Sequence, residues 1–404
     1  MPHISRKAEA FTESVIRDMT RLAMRHGAVN LAQGFPDFEA PDEIKAAACE
    51  AIRGDINQYA ITWGAKAFRD AIVAKTARWY PGWEVDPETE LTVTCGATEG
   101  MIAAMLAILD PGDEIVVFEP FYENYGPDAI LSGAVPRYVT LHEPDWRFDP
   151  DELRAAFGPR TRGIVVNSPH NPTGRVFDVD ELDQIAAVAI DHDLWVITDE
   201  VYEHLVFPGA THVPLATRPG MAERTLTISS GGKTFNTTGW KVGWMCGPGA
   251  LVQAARTAKQ FLTYVNAGPF QPAIAVGLEL GDDFYADLAV DLTAKRDRLV
   301  AGLRAAELTT FVPEATYFAT VDIRSVEPDG DGLSFCRALP ARCGVVAIPS
   351  QVMYLDPAEG RSFVRLLPYL AHVGPAVWRW WRAAPARAAG SVAAGGQATE
   401  STPA

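Results

Sequence analysis

Lys233 stands behind two glycines in SSGGKTFNTTGWKVGW (Ser229–Trp244), and a second lysine, Lys241, follows eight positions later. A lysine so placed can bind a nucleotide phosphate, capture an aldehyde covalently, or be solvated in a glycine-rich turn. The nucleotide loop needs a glycine five residues ahead of the Gly-Lys-Thr, so that backbone amides wrap the phosphates. Thr227 occupies that position, which excludes the loop. Aldehyde capture needs an amine that is reachable, partly desolvated and close to other cations, so that a fraction of it is neutral. Lys233 meets these terms, with Lys241 near in sequence and small residues ahead of it leaving room for a ring.

Two other stretches add to this chemistry. A pyridine-based electron sink needs a carboxylate beside its ring nitrogen, and Asp199 lies near the end of the apolar run LWVITDE. A cofactor phosphate needs backbone N–H groups at a helix N-terminus, and GATEG (Gly96–Gly100) supplies them after a strand. Each has a plainer reading by itself: a solvated lysine, a helix-capping aspartate in TDEVYE, a glycine turn. Together the three are far more specific than any one alone.

The elements that must position these residues form an α/β pattern. Short β-rich runs, LTVTC (Leu91–Cys95), DEIVVFE (Asp113–Glu119), RGIVVNS (Arg162–Ser168), LWVITDE (Leu194–Glu200) and RTLTISS (Arg224–Ser230), alternate with helical segments such as GATEGMIAAMLAIL and VDELDQIAAVAID. Strands apolar on both faces and separated by helices predict a mostly parallel central sheet covered on both sides. Ligands of such sheets bind beyond the carboxyl ends of the strands. The runs here stop at Gly96, Glu119, Asn167, Asp199 and Ser230, which describes one site built from several loops. Near Leu280 a long charged helix predicts a link to a smaller α/β domain containing ATYFATVDI and GVVAIPS.

A length of 404 residues fits two domains. With 48% hydrophobic residues and no apolar run of membrane-spanning length, the composition is that of a globular chain. A net charge of −16 argues against nucleic acid and anionic membrane as partners. Cys49, Cys95, Cys246, Cys336 and Cys343 show no metal-ligand spacing, so no metal site is expected. The N-terminal MPHISRKAEAFTESVIRD lacks the apolar core of a signal peptide, so a reducing cytoplasm is expected and the sequon at Asn236 is expected to carry no glycan.

The chain resembles the fold-type I, pyridoxal-phosphate-dependent aminotransferases of class I. Within them it is most similar to the subgroup of kynurenine/glutamine, methionine and actinobacterial N-succinyldiaminopimelate aminotransferases. The resemblance rests on NLAQGFPDF, NQYA, VTCGATE, PGDEIVVFEPFYENY, NSPHNPTG, ITDEVYE, ERTLTISSGGKTFNTTGWKVGW and VAIP, in the family's order over about residues 10–365. It implies that Lys233 bonds covalently to pyridoxal phosphate and then moves a proton as base and acid. Asp199 matches the acid paired with the ring nitrogen, and Tyr202 and Asn171 match the partners of the ring hydroxyl. Ala97, Thr98, Ser230 and Lys241 match the phosphate cup, and Tyr122 the aromatic stacked on the ring. Tyr59 matches a tyrosine that reaches the neighbouring subunit's phosphate, which implies a homodimer. Gly34 matches the loop lining the substrate carboxylate site, and Arg365 the arginine that clamps that carboxylate with a two-point fork. An amino group would pass between an amino acid and a 2-oxo acid with ping-pong kinetics. The implied boundaries are an N-terminal arm with part of the small domain (1–45), a large cofactor domain (46–285), a small C-terminal domain (286–374) and an atypical tail expected to be disordered (375–404).

The chain departs from the pattern at its end. Family members continue after the arginine with RF-x-F-x-K and an amphipathic helix, whereas this chain reads FVRLLPYLAHVGPAVWRWWRAAPARAAGSV. That composition fits either a shifted reading frame or a diverged tail, and predicts weakened stability or activity. Ala315 stands where a glycine is common. The segment FTESVIRDMTRLAMRHGAVN lacks the tryptophan of kynurenine-type members, and Ile16 gives an aliphatic site less suited to an aromatic side chain. N-succinyl-diaminopimelate and methionine or glutamine remain the donors to compare. A cysteine-conjugate β-lyase would use the same constellation, and a cofactor-binding protein without turnover would keep it unused.

Overall fold

The computed structural model describes residues 3–9, 11, 14–32 and 38–367. Gly34 and the whole tail, including the expected disorder of 375–404, lie outside the described residues.

In chain order the strands are β1 (Val29–Asn30), β2 (Leu91–Cys95), β3 (Glu114–Glu119), β4 (Val135–His142), β5 (Arg147–Phe148), β6 (Thr161–Asn167), β7 (Trp195–Asp199), β8 (Thr225–Ser230), β9 (Val242–Cys246), β10 (Thr309–Phe311), β11 (Ala319–Asp322), β12 (Val345–Val346), β13 (Ile348–Pro349) and β14 (Phe363–Leu366). The five strands read from sequence all form, within a residue or two at their ends, and belong to one sheet of order β2-β9-β8-β7-β6-β3-β4-β5. The pairs from β8 through β7, β6 and β3 to β4 are parallel.

Side chains alternate across this sheet with period two, and both faces are covered. Ile115 and Val117 of β3 enter one core with Met101 and Met105 of the helix Gly96–Ile108. Val116 and Phe118 enter the other, with Leu182 and Ile185 of the helix Val179–Asp191. The latter helix starts where its sequence directs, because Asp178 and Glu181 form a reciprocal capping box. Each fully buried aliphatic side chain contributes about 1.5–3 kcal/mol, so this double burial is what holds the strands in register.

One strand escaped the sequence reading. β9 begins inside GWKVGW and continues to Cys246, runs antiparallel to both neighbours, and wedges between β2 and β8. Its Gly243 explains the fit: a Cβ there would meet the Gly96 carbonyl carbon at 2.6 Å and the Ala97 nitrogen at 2.9 Å. Only glycine lets this strand press against the first turn of the helix Gly96–Ile108.

The smaller sheet has the order β10-β11-β14-β13, reached through the long helix Asp282–Ala305. Its core takes in Leu299, Leu303, Val321, Phe335 and Val364, and also Met19, Ala23 and Leu31 from the N-terminal segment. β1 pairs with β12 in parallel, so the N-terminal helix Val15–His26 packs with the smaller sheet. Ala315, the substitution for a glycine, is wholly buried and bridges to Val206.

Candidate active site

A cavity of about 290 Å³ opens beyond the carboxyl ends of β6, β7 and β8. Ten of the twelve site residues that the resemblance implies line it: Ala97, Thr98, Tyr122, Asn171, Asp199, Tyr202, Ser230, Lys233, Lys241 and Arg365. Tyr59 does not. It is 79% exposed and meets Tyr264 edge-on, with ring centroids 5.4 Å apart.

Lys233 sits on the single turn Gly231–Thr234 that follows β8, with its Nζ 5.6 Å from the centroid of the Tyr202 ring. The preceding glycines have a reason beyond room for a ring. A Cβ on Gly231 would come within 2.7 Å of Ile274, and one on Gly232 within 3.1 Å of Thr238 Cα. The turn is therefore packed from behind, and Lys233 is the side chain it presents to the cavity.

Asp199 ends β7 as expected, but no helix follows it; the chain enters a turn at Val201. The capping reading is thereby set aside. Tyr125 donates its hydroxyl to Asp199 Oδ2 at 2.8 Å, and the Val201 N–H donates to Oδ1 at 3.4 Å. Burial pushes the Asp199 carboxyl up, while those two donors and the charge of Lys233 pull it down. Burial and the Asp199 charge hold the Tyr125 phenol well above its ordinary range, so it remains a donor. A buried carboxylate held only by neutral donors gains from a cationic N–H beside it.

Tyr125 and Asn167 are candidate site residues that the sequence did not point to. Tyr125 is present in FYENY, but nothing local in the sequence shows that it reaches Asp199. Asn167, read only as a strand end, donates Nδ2 to the Asp199 carbonyl at 2.8 Å and accepts the Asn171 N–H at 2.8 Å. It thus joins the ends of β6 and β7 to the loop carrying Asn171.

At the helix N-terminus, Lys241 Nζ donates to Thr98 Oγ1 at 3.0 Å. Lys241 adopts a left-handed conformation (φ 54°), with its carbonyl accepting from Asn266 Nδ2 at 2.7 Å. A Cβ on Gly96 would approach that Nζ to 3.1 Å. Glycine, helix N-terminus, hydroxyls and lysine form a cradle for a phosphate group.

Arg365 reaches the cavity from β14 of the smaller sheet. Its Nη1 donates to Asn171 Oδ1 at 2.9 Å and its Nη2 to the Ala32 carbonyl at 3.1 Å, and the guanidinium lies 4.4 Å from the Phe318 ring centroid. Nε has no partner among the described residues, and no carboxylate there pairs with the group. Burial pulls its pKa down to about 10, which leaves it fully charged at neutral pH. A buried cation with an unpaired donor is prepared for a planar anion.

The model of the aminotransferase class I and II family matches residues 26–368. The chain belongs to this family. The probable N-succinyldiaminopimelate aminotransferase of Mycobacterium tuberculosis (strain H37Rv) is 48% identical over 355 residues, covering 87% of this chain and 88% of that one. The methionine aminotransferase of Escherichia coli K12 is 37% identical over 344 residues, covering 85% and 89%. Among solved structures, that of the M. tuberculosis N-succinyldiaminopimelate aminotransferase superimposes with a TM-score of 0.89 at 45% identity, covering 94% of this chain and 98% of that one. The Thermus thermophilus aspartate aminotransferase with maleate gives 0.86 at 30% identity, covering 96% and 100%. The fold is fold-type I, and the chain is a pyridoxal-phosphate-dependent aminotransferase. The donor set fits that cofactor: an amine for its aldehyde, a buried carboxylate for its ring nitrogen and a cradle for its phosphate.

Proposed function

We propose that this aminotransferase works on N-succinyl-diaminopimelate and its 2-oxo counterpart, with Lys233 as the proton carrier and Arg365 as the carboxylate clamp. The observation that carries the site assignment is the meeting of Lys233, Asp199 and Arg365 in one cavity, although they come from two sheets. The substrate reading is supported by the 48% identical relative, whose name gives it that substrate. Aliphatic Ile16 on the cavity wall accords with a donor that is not aromatic.

Bound pyridoxal phosphate supplies an electron-accepting ring. The chain supplies the remainder. Arg365 orients the substrate carboxylate, and Asn171 holds Arg365 in place. The Lys233 amine would take the proton from the substrate Cα and, as its conjugate acid, deliver it to the carbon that carried the cofactor's aldehyde, while Asp199 would keep the ring nitrogen's positive charge stable. Thr98, Ser230, Lys241 and the first turn of the helix Gly96–Ile108 would hold the phosphate, and Tyr202 would reach the cofactor's hydroxyl.

The test is the visible absorption of the purified protein with added pyridoxal phosphate, followed with N-succinyl-diaminopimelate, methionine, glutamine and kynurenine. The cofactor band is expected to bleach fastest with the first. Faster bleaching by methionine or glutamine would transfer the substrate to that donor. A band bleached by none would remove the roles given to Lys233 and Arg365.

A homodimer and a cytoplasmic location go with this reading. Ile56, Tyr59, Ile61, Phe261, Leu262 and Tyr264 are exposed apolar residues, and the Tyr59–Tyr264 contact brings their two segments together. The second segment adjoins the phosphate cradle, since Thr263 bonds Glu99 and Asn266 bonds Lys241. A patch of this kind marks an interface. Phe261→Asp is expected to convert a dimer to a monomer in sedimentation velocity at micromolar concentration; a monomeric parent protein would end the dimer proposal. The five cysteines are all free thiols, which suits a reducing compartment.

A further inference from the structure

The hydrogen-bond ladder between β7 and β8 stops short of the site. Its last pair is Asp199 with Ile228, followed by one bond from the Glu200 N–H to the Ile228 carbonyl at 2.8 Å. Beyond this point Ser229 and Ser230 pair only with β9. Tyr202, Ser230 and Lys233 all lie past the end of this ladder, Tyr202 on one turn and Ser230 and Lys233 at the start of and on another, and among the described residues no backbone pairing joins the two turns.

Glu203 bridges that gap. Its Oε1 accepts the Ser229 hydroxyl at 2.7 Å, and its Oε2 accepts the Tyr80 hydroxyl at 2.6 Å together with the ammonium of Lys75. The Glu203 and Lys75 side chains are nearly fully buried. Lys75 also faces the Tyr80 ring, 4.8 Å from its centroid. Although burial pushes the Glu203 carboxyl up, Lys75, His204 and Tyr80 overcome it and hold the group at about 2.

We infer that Glu203 is a positioning residue of the transamination site: through Ser229 it fixes the turn carrying Tyr202 against the turn carrying Ser230 and Lys233. Three elements meet at one carboxylate. The helix Lys66–Trp79 supplies Lys75, and Tyr80 follows as its C-terminal cap. Glu203 directly follows Tyr202, and Ser229 directly precedes Ser230. A shift of either turn therefore stretches bonds to a buried charge, where a lost partner is costly. The lock does not titrate in the working range, because its carboxylate stays ionised well below neutrality.

This inference rests on the roles proposed for Tyr202, Ser230 and Lys233. Ser229→Ala removes one bond and leaves the Glu203–Lys75 pair in place. Thr227→Val is the control, since Thr227 lies two residues earlier on the same strand and its buried hydroxyl has no partner among the described residues. Pyridoxal phosphate affinity is measured by absorbance titration, alongside the band position, the melting temperature of the cofactor-free protein, and kcat and KM for the donor that bleaches fastest. Ser229→Ala is expected to weaken cofactor binding about tenfold, to move the band and to lower kcat more than it changes KM. Thr227→Val is expected to leave all of these alone. Glu203→Gln should act in the same direction as Ser229→Ala and more strongly; if it does not fold, Ser229→Ala decides. A Ser229→Ala protein with a lowered melting temperature but unaltered cofactor affinity and band would make the network purely structural and overturn the inference. Parent protein that binds no cofactor would overturn both this inference and the site roles beneath it.

Discussion

Lys233→Ala is expected to lower kcat by about 10²–10⁴-fold, the range a positioned acid–base group contributes, with the fold intact. The amine is half-buried, and its recorded contact is the face of the Tyr202 ring rather than a hydrogen bond. Removing it therefore breaks no hydrogen bond among the described residues, and the turn around it is held by Gly231 against Ile274 and Gly232 against Thr238. What disappears is the base that takes the proton from the substrate Cα. Phosphate binding should survive, because Thr98, Lys241 and the helix N-terminus are untouched. Single-turnover bleaching with the fastest donor is the measurement, with a small primary amine added in solution to restore part of the rate. Turnover close to that of the parent protein would show that another group moves the proton. Loss of both turnover and folding would show that Lys233 is structural.

Much of this site was legible because its chemistry is written in residues close in sequence. Asp199 and Tyr202 lie within four positions, Ser230 and Lys233 within four, and each set sits where an apolar strand ends. Buried parallel strands are also easy to recognise from unbroken apolar runs. The less visible parts depend on tertiary approach. β9 was hidden because its sequence, VGWMC, begins inside a motif read for its lysines, and its place between β2 and β8 follows from how closely Gly243 packs. Tyr125 reaches Asp199 across 74 positions, and Arg365 reaches Asn171 across 194. No local pattern encodes such distances. Tyr59 is a different case: within one chain it is a surface tyrosine, and its proposed role needs a second copy.

The substitution Arg365→Gln is expected to separate function from stability. Arg365 is a fully buried cation whose pKa falls from the ordinary arginine range to about 10 because burial outweighs the attraction of nearby groups. At neutral pH, below both values, the group is charged in the folded and unfolded chain alike, and the folded chain bears the desolvation cost. Among the described residues its polar contacts are an amide oxygen and a carbonyl, and Nε is unpaired. Replacing it with a neutral amide of similar reach should stabilise the substrate-free protein by about 1–2 kcal/mol, allowing for the bonds lost. The same change removes the two-point fork for the substrate carboxylate, so KM for the donor should rise about 100-fold, as expected for a charge-assisted pair worth 2–3 kcal/mol. Arg365→Lys keeps the charge but loses the fork, and its KM should lie between the two. Thermal melting without substrate and steady-state kinetics on the same preparations decide the matter. A destabilised Arg365→Gln protein would mean that the guanidinium is held for the fold, and an unchanged KM would mean that the carboxylate is bound elsewhere. The Nε favours the other outcome: a donor left without a partner among the described residues is one that a substrate can complete.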